Sequence, residues 1–169
     1  MATHPAAMTD EELVRACEVF RGRRGGPGGQ HRNKVETAVR LVHRATGLEG
    51  QASERRSQAE NRRVALRRLR WRLAVEVREA VGLGAEPSAV WRSRVTKDGV
   101  IRLNADHRDG PTMVAEAMDW LADGGWDVGK AARRLGVTTS QLVKLIGLEP
   151  AALAAVNRHR ERRGERALR

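Results

Sequence analysis

The sequence predicts an α+β protein: a small β-sheet domain carrying one long basic helix, then a small, mainly helical module with a helix-turn-helix. Three observations predict it. Leu66, Leu69, Leu73, Val77 and Ala80 recur at spacings of three and four, which puts one apolar stripe along a helix. Thr37 to His43 alternates, with Val39 and Leu41 on one side, as a half-buried strand does. Beyond residue 110 the apolar runs are of helical length and are separated by glycines.

Taken in order, Thr9 and Glu12 have the spacing of a capping box and open a short helix with Leu13, Ala16 and Phe20 on one face; Cys17 lies on it. Arg21 to Gln30 contains five glycines and a proline, which rule out helix interior and predict an extended loop. After the strand at 37–43, Arg44 to Gly47 makes a turn and Leu48 to Ala52 returns as a second strand. Ser57 and Glu60 form a second capping box, opening a helix over residues 58–81. Gly82 to Pro87 reads as a boundary, giving domains 1–83 and 84–169. Val90 to Val95 and Val100 to Leu103 flank Lys97-Asp98-Gly99 as a hairpin. Helices follow over Thr112 to Ala122, Val128 to Leu135 and Thr139 to Ile146, and a last one starts near Pro150. Gly136 fits the turn of a helix-turn-helix packed through Ala132, Val137, Leu142 and Ile146.

Charge narrows the function. The chain has 169 residues, with 32 Lys and Arg against 21 Asp and Glu, a net charge of +11. Polyanions, and nucleic acid first among them, are the partners such a chain attracts. Most of the cations are arginines, whose planar fork suits phosphate. An acidic membrane surface would attract it too, but no apolar run approaches spanning length and no lipidation signal is present, so no membrane partner is expected. A single cysteine excludes an intrachain disulfide, and the acidic start lacks a signal core; a cytoplasmic location is expected. The histidines have no ligand spacing, so neither a metal nor another cofactor is expected. A nucleophile elbow, a Walker loop and a catalytic triad are all missing from the sequence.

The glycine-rich loop has a physical logic of its own. Glycines permit positive φ and let main chain approach RNA where a Cβ would collide. Gln30 cannot titrate near neutral pH and is no general base, but a main-chain N–H there can donate to an oxygen gaining charge in a transition state. One such donor contributes about 3 kcal/mol.

The run Arg24-Gly25-Gly26-Pro27-Gly28-Gly29-Gln30-His31-Arg32-Asn33-Lys34 resembles the GGQ loop of class I peptide-chain release factors and their ribosome-rescue relatives. The likeness continues through Ala38-Val39-Arg40, His43, Thr46-Gly47, Arg56-Ser57-Gln58, Asn61-Arg62 and Ala65-Leu66, over about residues 20 to 80. Arg32 stands where that family has a small apolar residue, and nothing here resembles its codon-recognition domain. The resemblance implies that Gly28, Gly29 and Gln30 act in the peptidyl-transferase centre on P-site peptidyl-tRNA, with the ribosome as partner and the Gln30 side chain shaping a pocket that admits water.

Candidate RNA contacts are Arg23, Arg24, His31, Arg32, Asn33 and Lys34 around the loop, and Arg56, Arg62, Arg63 and Arg67 at and along the long helix. Arg158, Arg160, Arg162 and Arg163 join them in the last helix, either entering the mRNA channel of a stalled ribosome or forming a frayed end. The expectation is a monomeric, codon-independent, ribosome-dependent peptidyl-tRNA hydrolase. Its rivals are a non-catalytic ribosome- or DNA-binding helix-turn-helix protein and a release factor that needs a partner to read stop codons.

Overall fold

The computed structural model describes residues 4–22, 37–104 and 106–169. It is mixed α and β, and the chain forms two compact units, residues 8–73 and residues 1–7 with 74–169.

The first unit holds α1 (Asp10–Arg15), the antiparallel strands β1 (Cys17–Gly22), β2 (Ala38–His43) and β3 (Glu49–Ala52) in that order, and most of α2 (Gln58–Glu76). The Thr9–Glu12 capping box is present, with both hydrogen bonds made. It sustains only a short helix. Residues Cys17 to Phe20 were expected to continue it, and Arg21 and Gly22 to open the loop; instead Cys17 to Gly22 pair with β2, Cys17 opposite His43 and Gly22 opposite Ala38. Ala16 closes α1 with its N–H on Glu12, and its carbonyl accepts from Arg44 N–H at 3.0 Å. The β-branched Val19 and aromatic Phe20 suit a strand better than a helix end. Cys17 is buried in β1, while Val19 and Phe20 are each 42% exposed.

Val39 and Leu41 face inward as the alternation predicts, and His43, Gly50 and Ala52 share their burial. Ala65, Leu66, Leu69 and Leu73 of α2 are buried too. The closest approach of helix to sheet is at Gly50, where a Cβ would stand 2.1 Å from the Ala65 carbonyl oxygen.

In the second unit, α3 (Ala89–Arg94), α4 (Gly110–Asp123), α5 (Val128–Arg134), α6 (Thr139–Ile146) and α7 (Pro150–Arg162) follow a non-helical stretch beginning at Val77. The long helix was expected to reach residue 81 and stops at Glu76. Its last carbonyls are taken by Arg78, whose guanidinium donates to the oxygens of Ala74 and Val75. Glu79 N–H turns away and donates to Asp119 Oδ1 at 3.0 Å. Val77 is therefore only half-buried and Ala80 exposed, outside the stripe they were assigned to. The two units divide between Leu73 and Ala74, whereas composition places a linker at Gly82 to Pro87.

The expected hairpin over 90–103 is a second departure. Residues Ala89–Arg94 are helical, because Ser88 caps them through Trp91 N–H and Trp91 is buried with its indole donating to the Leu135 carbonyl at 2.9 Å. A capped turn with a buried anchor outweighs the strand propensity of Val90 and Val95. Only the bridge Val95 to Ile101 remains, around the turn at Gly99.

The helix-turn-helix forms as α5 and α6, with Gly136 at φ +68° in the turn and Ala132, Val137, Leu142 and Ile146 buried. Asp127 and Thr138 cap the two helices. Met113, Val114, Ala117, Met118 and Leu121 give α4 its buried face. After α7 the chain folds back: Asn157 exchanges hydrogen bonds with Leu168 main chain at 2.8 and 3.1 Å.

Asp119 is the one strongly perturbed carboxyl of this unit. Burial pushes it up to about 6, and burial likewise lowers Arg78, so loss of water outweighs their pairing at 3.4 Å. A raised carboxyl binds its proton more tightly in the folded chain, so its stabilising contribution is full below the ordinary 3.8 and is lost as pH climbs through 6. We expect the melting temperature of the native protein, relative to Asp119→Asn, to rise as pH falls from 7 to 4.5. A pH-independent difference would show that Asp119 titrates normally.

Candidate functional site

Gly28, Gly29 and Gln30 lie outside the described residues, as do Arg23, Arg24, His31, Arg32, Asn33 and Lys34. The structure shows what holds the two ends of that segment. Gly22, the last residue of β1, is paired with Ala38, the first of β2, so these two strand ends lie side by side at one end of the sheet. The two-strand register fixes where the segment begins and where it must return.

The re-entry point is secured by Asn61, which is fully buried in the first turns of α2. Its Nδ2 donates to the Thr37 carbonyl at 2.7 Å and to the Arg55 carbonyl at 3.0 Å, while its Oδ1 accepts from Arg55 N–H at 2.9 Å. One amide thus ties the helix start, the connection after β3 and the residue next to the glycine-rich segment. Its position was legible: Asn61 precedes Ala65, Leu69 and Leu73 at spacings of four, so a polar residue sits on the core-facing stripe. Asn61→Leu strands three polar groups, and a loss of about 2 kcal/mol in unfolding free energy is expected. Chemical denaturation checks it, and Asn61→Ser, which keeps a donor and an acceptor, should lose less.

Around the same sheet end the side chains are polar and charged. Arg40 pairs with Glu49 at 3.2 Å and lies over the Phe20 ring with its guanidinium carbon 4.5 Å from the ring centre. Arg68 donates to Glu54 at 2.8 Å and to the Gln51 carbonyl at 2.7 Å. Hydrogen bonds from main-chain N–H groups of Glu54 and Ser53, then from Arg68, hold the Glu54 carboxyl below its usual range. Sequence reasoning passed over Phe20, Arg40 and Arg68 as site residues, because their meeting depends on strand register and not on spacing.

Of the expected RNA contacts that are described, Arg56, Arg62, Arg63 and Arg67 are exposed in one stretch of chain around Asn61. Arg62 and Arg63 make no ion pair among the described residues. The C-terminal arginines are in the other unit and divide into two kinds. Arg158 and Arg162 are exposed. Arg160 and Arg163 each pair with Glu165 at 2.7 Å, and Arg163 also donates to the carbonyls of Gly125 and Trp126. Those two serve the fold of the helical unit.

His43 is buried, with Nδ1 2.9 Å from Thr46 Oγ1, and burial lowers its pKa. It ends β2 and stabilises the turn to β3. No group of His, Cys, Asp and Glu arranged to hold a metal occurs among the described residues. In the helix-turn-helix, Gln141 Oε1 accepts from Ile101 N–H at 3.1 Å, leaving Lys144 as the long polar side chain of α6 open to solvent.

The chain is similar to known proteins. Residues 10–105 match the RF-1 domain. Among similar proteins is peptide chain release factor 1 of Symbiobacterium thermophilum, 39% identical over 115 residues that make up 60% of this chain and 31% of the relative. The one from Kineococcus radiotolerans is 38% identical over 120 residues, 65% of this chain and 32% of the relative. Human mitochondrial peptide chain release factor 1 is 37% identical over 103 residues, 54% and 22% of the two chains. The chain spans less than a third of the length of these relatives. No solved structure matches it. With the matched residues containing the glycine-rich segment, the paired strand ends and Asn61, this chain belongs to the RF-1 domain family, as a GGQ domain of the class I release-factor type.

Proposed function

We propose that this protein hydrolyses the ester of peptidyl-tRNA on the ribosome, without reading a codon, and so frees nascent chains from stalled complexes. The observation that carries the reading is the RF-1 domain match over residues 10–105, which spans the Gly28-Gly29-Gln30 segment and both strand ends that hold it. Charge supports it: residues 8–73 contain 16 Lys and Arg against 8 Asp and Glu, +8 of the chain's +11. That concentrates attraction for rRNA on the unit bearing the segment.

The ester is already activated, so catalysis needs a placed water and a donor to the departing 3′ oxygen of the ribose. The main-chain N–H at position 30 is that donor, with the Gln30 side chain bounding the space for water. The ribosome completes the site. Codon independence is proposed because no stretch of this sequence resembles the codon-recognition domain of class I release factors; beyond the matched stretch, residues 106–169 hold α4 to α7, with the helix-turn-helix. The use of Gln141 inside that unit speaks against direct reading of DNA bases by α6.

The test is peptide release from purified ribosomes carrying peptidyl-tRNA, with mRNA ending at the P site or continuing with stop or sense codons. Release should occur with any A-site codon or none. Release confined to stop codons would make the protein a partner-dependent termination factor, and ribosome binding without release would remove the activity altogether.

A further inference from the structure

At the end of the sheet where Gly22 and Ala38 pair, a pocket of about 490 Å³ opens, lined in part by Phe20, Arg21, Arg40, Gln51, Glu54 and Arg68. Its size falls in the roughly 300–1,000 Å³ span of sites for small ligands. Its chemistry is unusual for a surface hollow. Phe20 is the only phenylalanine of the chain, and the sequence has no tyrosine, yet this ring is 42% exposed on an edge strand. A core of Leu, Val and Ala leaves aromatic rings scarce, and one of them is placed in water. Arg40 covers it from one side, its own charge partly satisfied by Glu49. Arg21 follows directly in β1, is exposed, and makes no ion pair among the described residues. Gln51, exposed on β3 opposite Arg40, adds a side chain that both donates and accepts.

We infer that this pocket holds one unpaired ribonucleotide of RNA, its base against Phe20 beside the Arg40 guanidinium, its phosphate reaching across the edge of β1 to Arg21, whose side chain leaves the strand on the other face. A ring with a cation over its face, a second guanidinium for phosphate and an amide for a base edge are the elements of single-strand recognition. An apolar ligand would leave the arginines and Gln51 unmatched. An acidic peptide would satisfy Arg21 but not use the ring. Glu54 does not oppose a phosphate as a free charge would, because Arg68 and main-chain N–H groups already hold its carboxylate. The consequence is a second grip on RNA at the root of the catalytic segment, which would set how that segment is aimed. The inference rests on the reading that this unit works against ribosomal RNA.

The probes are the four ribonucleoside 5′-monophosphates, titrated into the full chain and followed by amide NMR shifts of residues 20–22, 38–40 and 51–54. Ribose 5-phosphate, inorganic phosphate and a tetraglutamate peptide run in parallel. We expect at least one nucleotide to bind about fivefold to a hundredfold more tightly than ribose 5-phosphate, the range for one base stacked on one ring. Phe20→Leu should erase that preference, and Phe20→Trp should keep it. Circular dichroism confirms that both variants fold. Equal binding of ribose 5-phosphate or tetraglutamate, no shift at these amides, or an unaltered preference in Phe20→Leu would each overturn the inference. In release assays Phe20→Leu should raise the half-saturating protein concentration more than it lowers the saturating rate. Nucleotide binding by a protein that releases no peptide would leave this site standing and remove the proposed function; release without nucleotide preference would do the reverse.

Discussion

Replacing Gly29 by alanine is expected to lower single-turnover peptide release by about 100-fold or more, while Gln30→Ala retains measurable activity. The asymmetry follows from the proposed chemistry. If the working group is a main-chain N–H, alanine at position 30 still supplies it and loses only the side chain that bounds the water. Alanine at 29 restricts the backbone to angles that L side chains adopt and puts a methyl where main chain must approach RNA. A donor displaced from its oxygen loses most of its effect, since such interactions count only when aimed at the charge as it develops. Release from ribosomes charged with labelled peptidyl-tRNA measures both variants, with ribosome binding measured beside it. Near-native rates for the two together would remove the mechanism, whatever the family.

The largest loss of stability is expected from Gly50→Ala. A Cβ there would lie 2.1 Å from the Ala65 carbonyl oxygen, 2.6 Å from Leu69 nitrogen and 2.8 Å from Leu69 Cβ. All three atoms belong to the body of α2, so no flexible side-chain end can move aside; the helix must lift from β3. Gly50 is paired with Leu41, and lifting α2 there uncovers the fully buried Leu41 and Leu69. A cost of about 3 kcal/mol is expected, with the melting temperature lower by roughly 10 °C or more. Gly22→Ala is the matched comparison for stability, because nothing stands within 4 Å of its added Cβ. Equal melting temperatures for the two would mean that α2 does not press on β3 as described. Because α2 also carries Asn61, Gly50→Ala should slow release beyond what unfolding explains.

Much of this protein is legible in its sequence alone. The strand at 38–43, the turn at Gly47, the short return strand and the buried stripe through Leu66, Leu69 and Leu73 all rest on local periodicity. The helix-turn-helix was equally plain, since Gly136 at positive φ and side-chain caps at Asp127 and Thr138 are signals that neighbours in sequence supply. The glycine-rich segment was recognisable by its composition and by the order of the residues after it. These are features that a few consecutive residues decide among themselves.

Tertiary structure decided the rest. Phe20 had a helical spacing from Leu13 and Ala16, but β2 offered a row of hydrogen bonds that turned Cys17 to Gly22 into a strand. The end of α2 was set from outside the helix, by Arg78 over its carbonyls and by Asp119, far along the chain, drawing off Glu79 N–H. Ser88 and Trp91 made a helix where β-branched residues promised a hairpin, since burying one indole with its N–H satisfied outweighs a propensity worth tenths of a kcal/mol per residue. The same holds at the site. The sequence by itself supplied the candidates for the chemistry and the positive charge from which an RNA partner is proposed, because residue type and charge belong to each residue alone. Only the fold decided that Asn61 would hold Thr37 and that Phe20, Arg40 and Arg68 would share one pocket. Such meetings depend on register and packing between segments whose separation along the chain carries no trace of them.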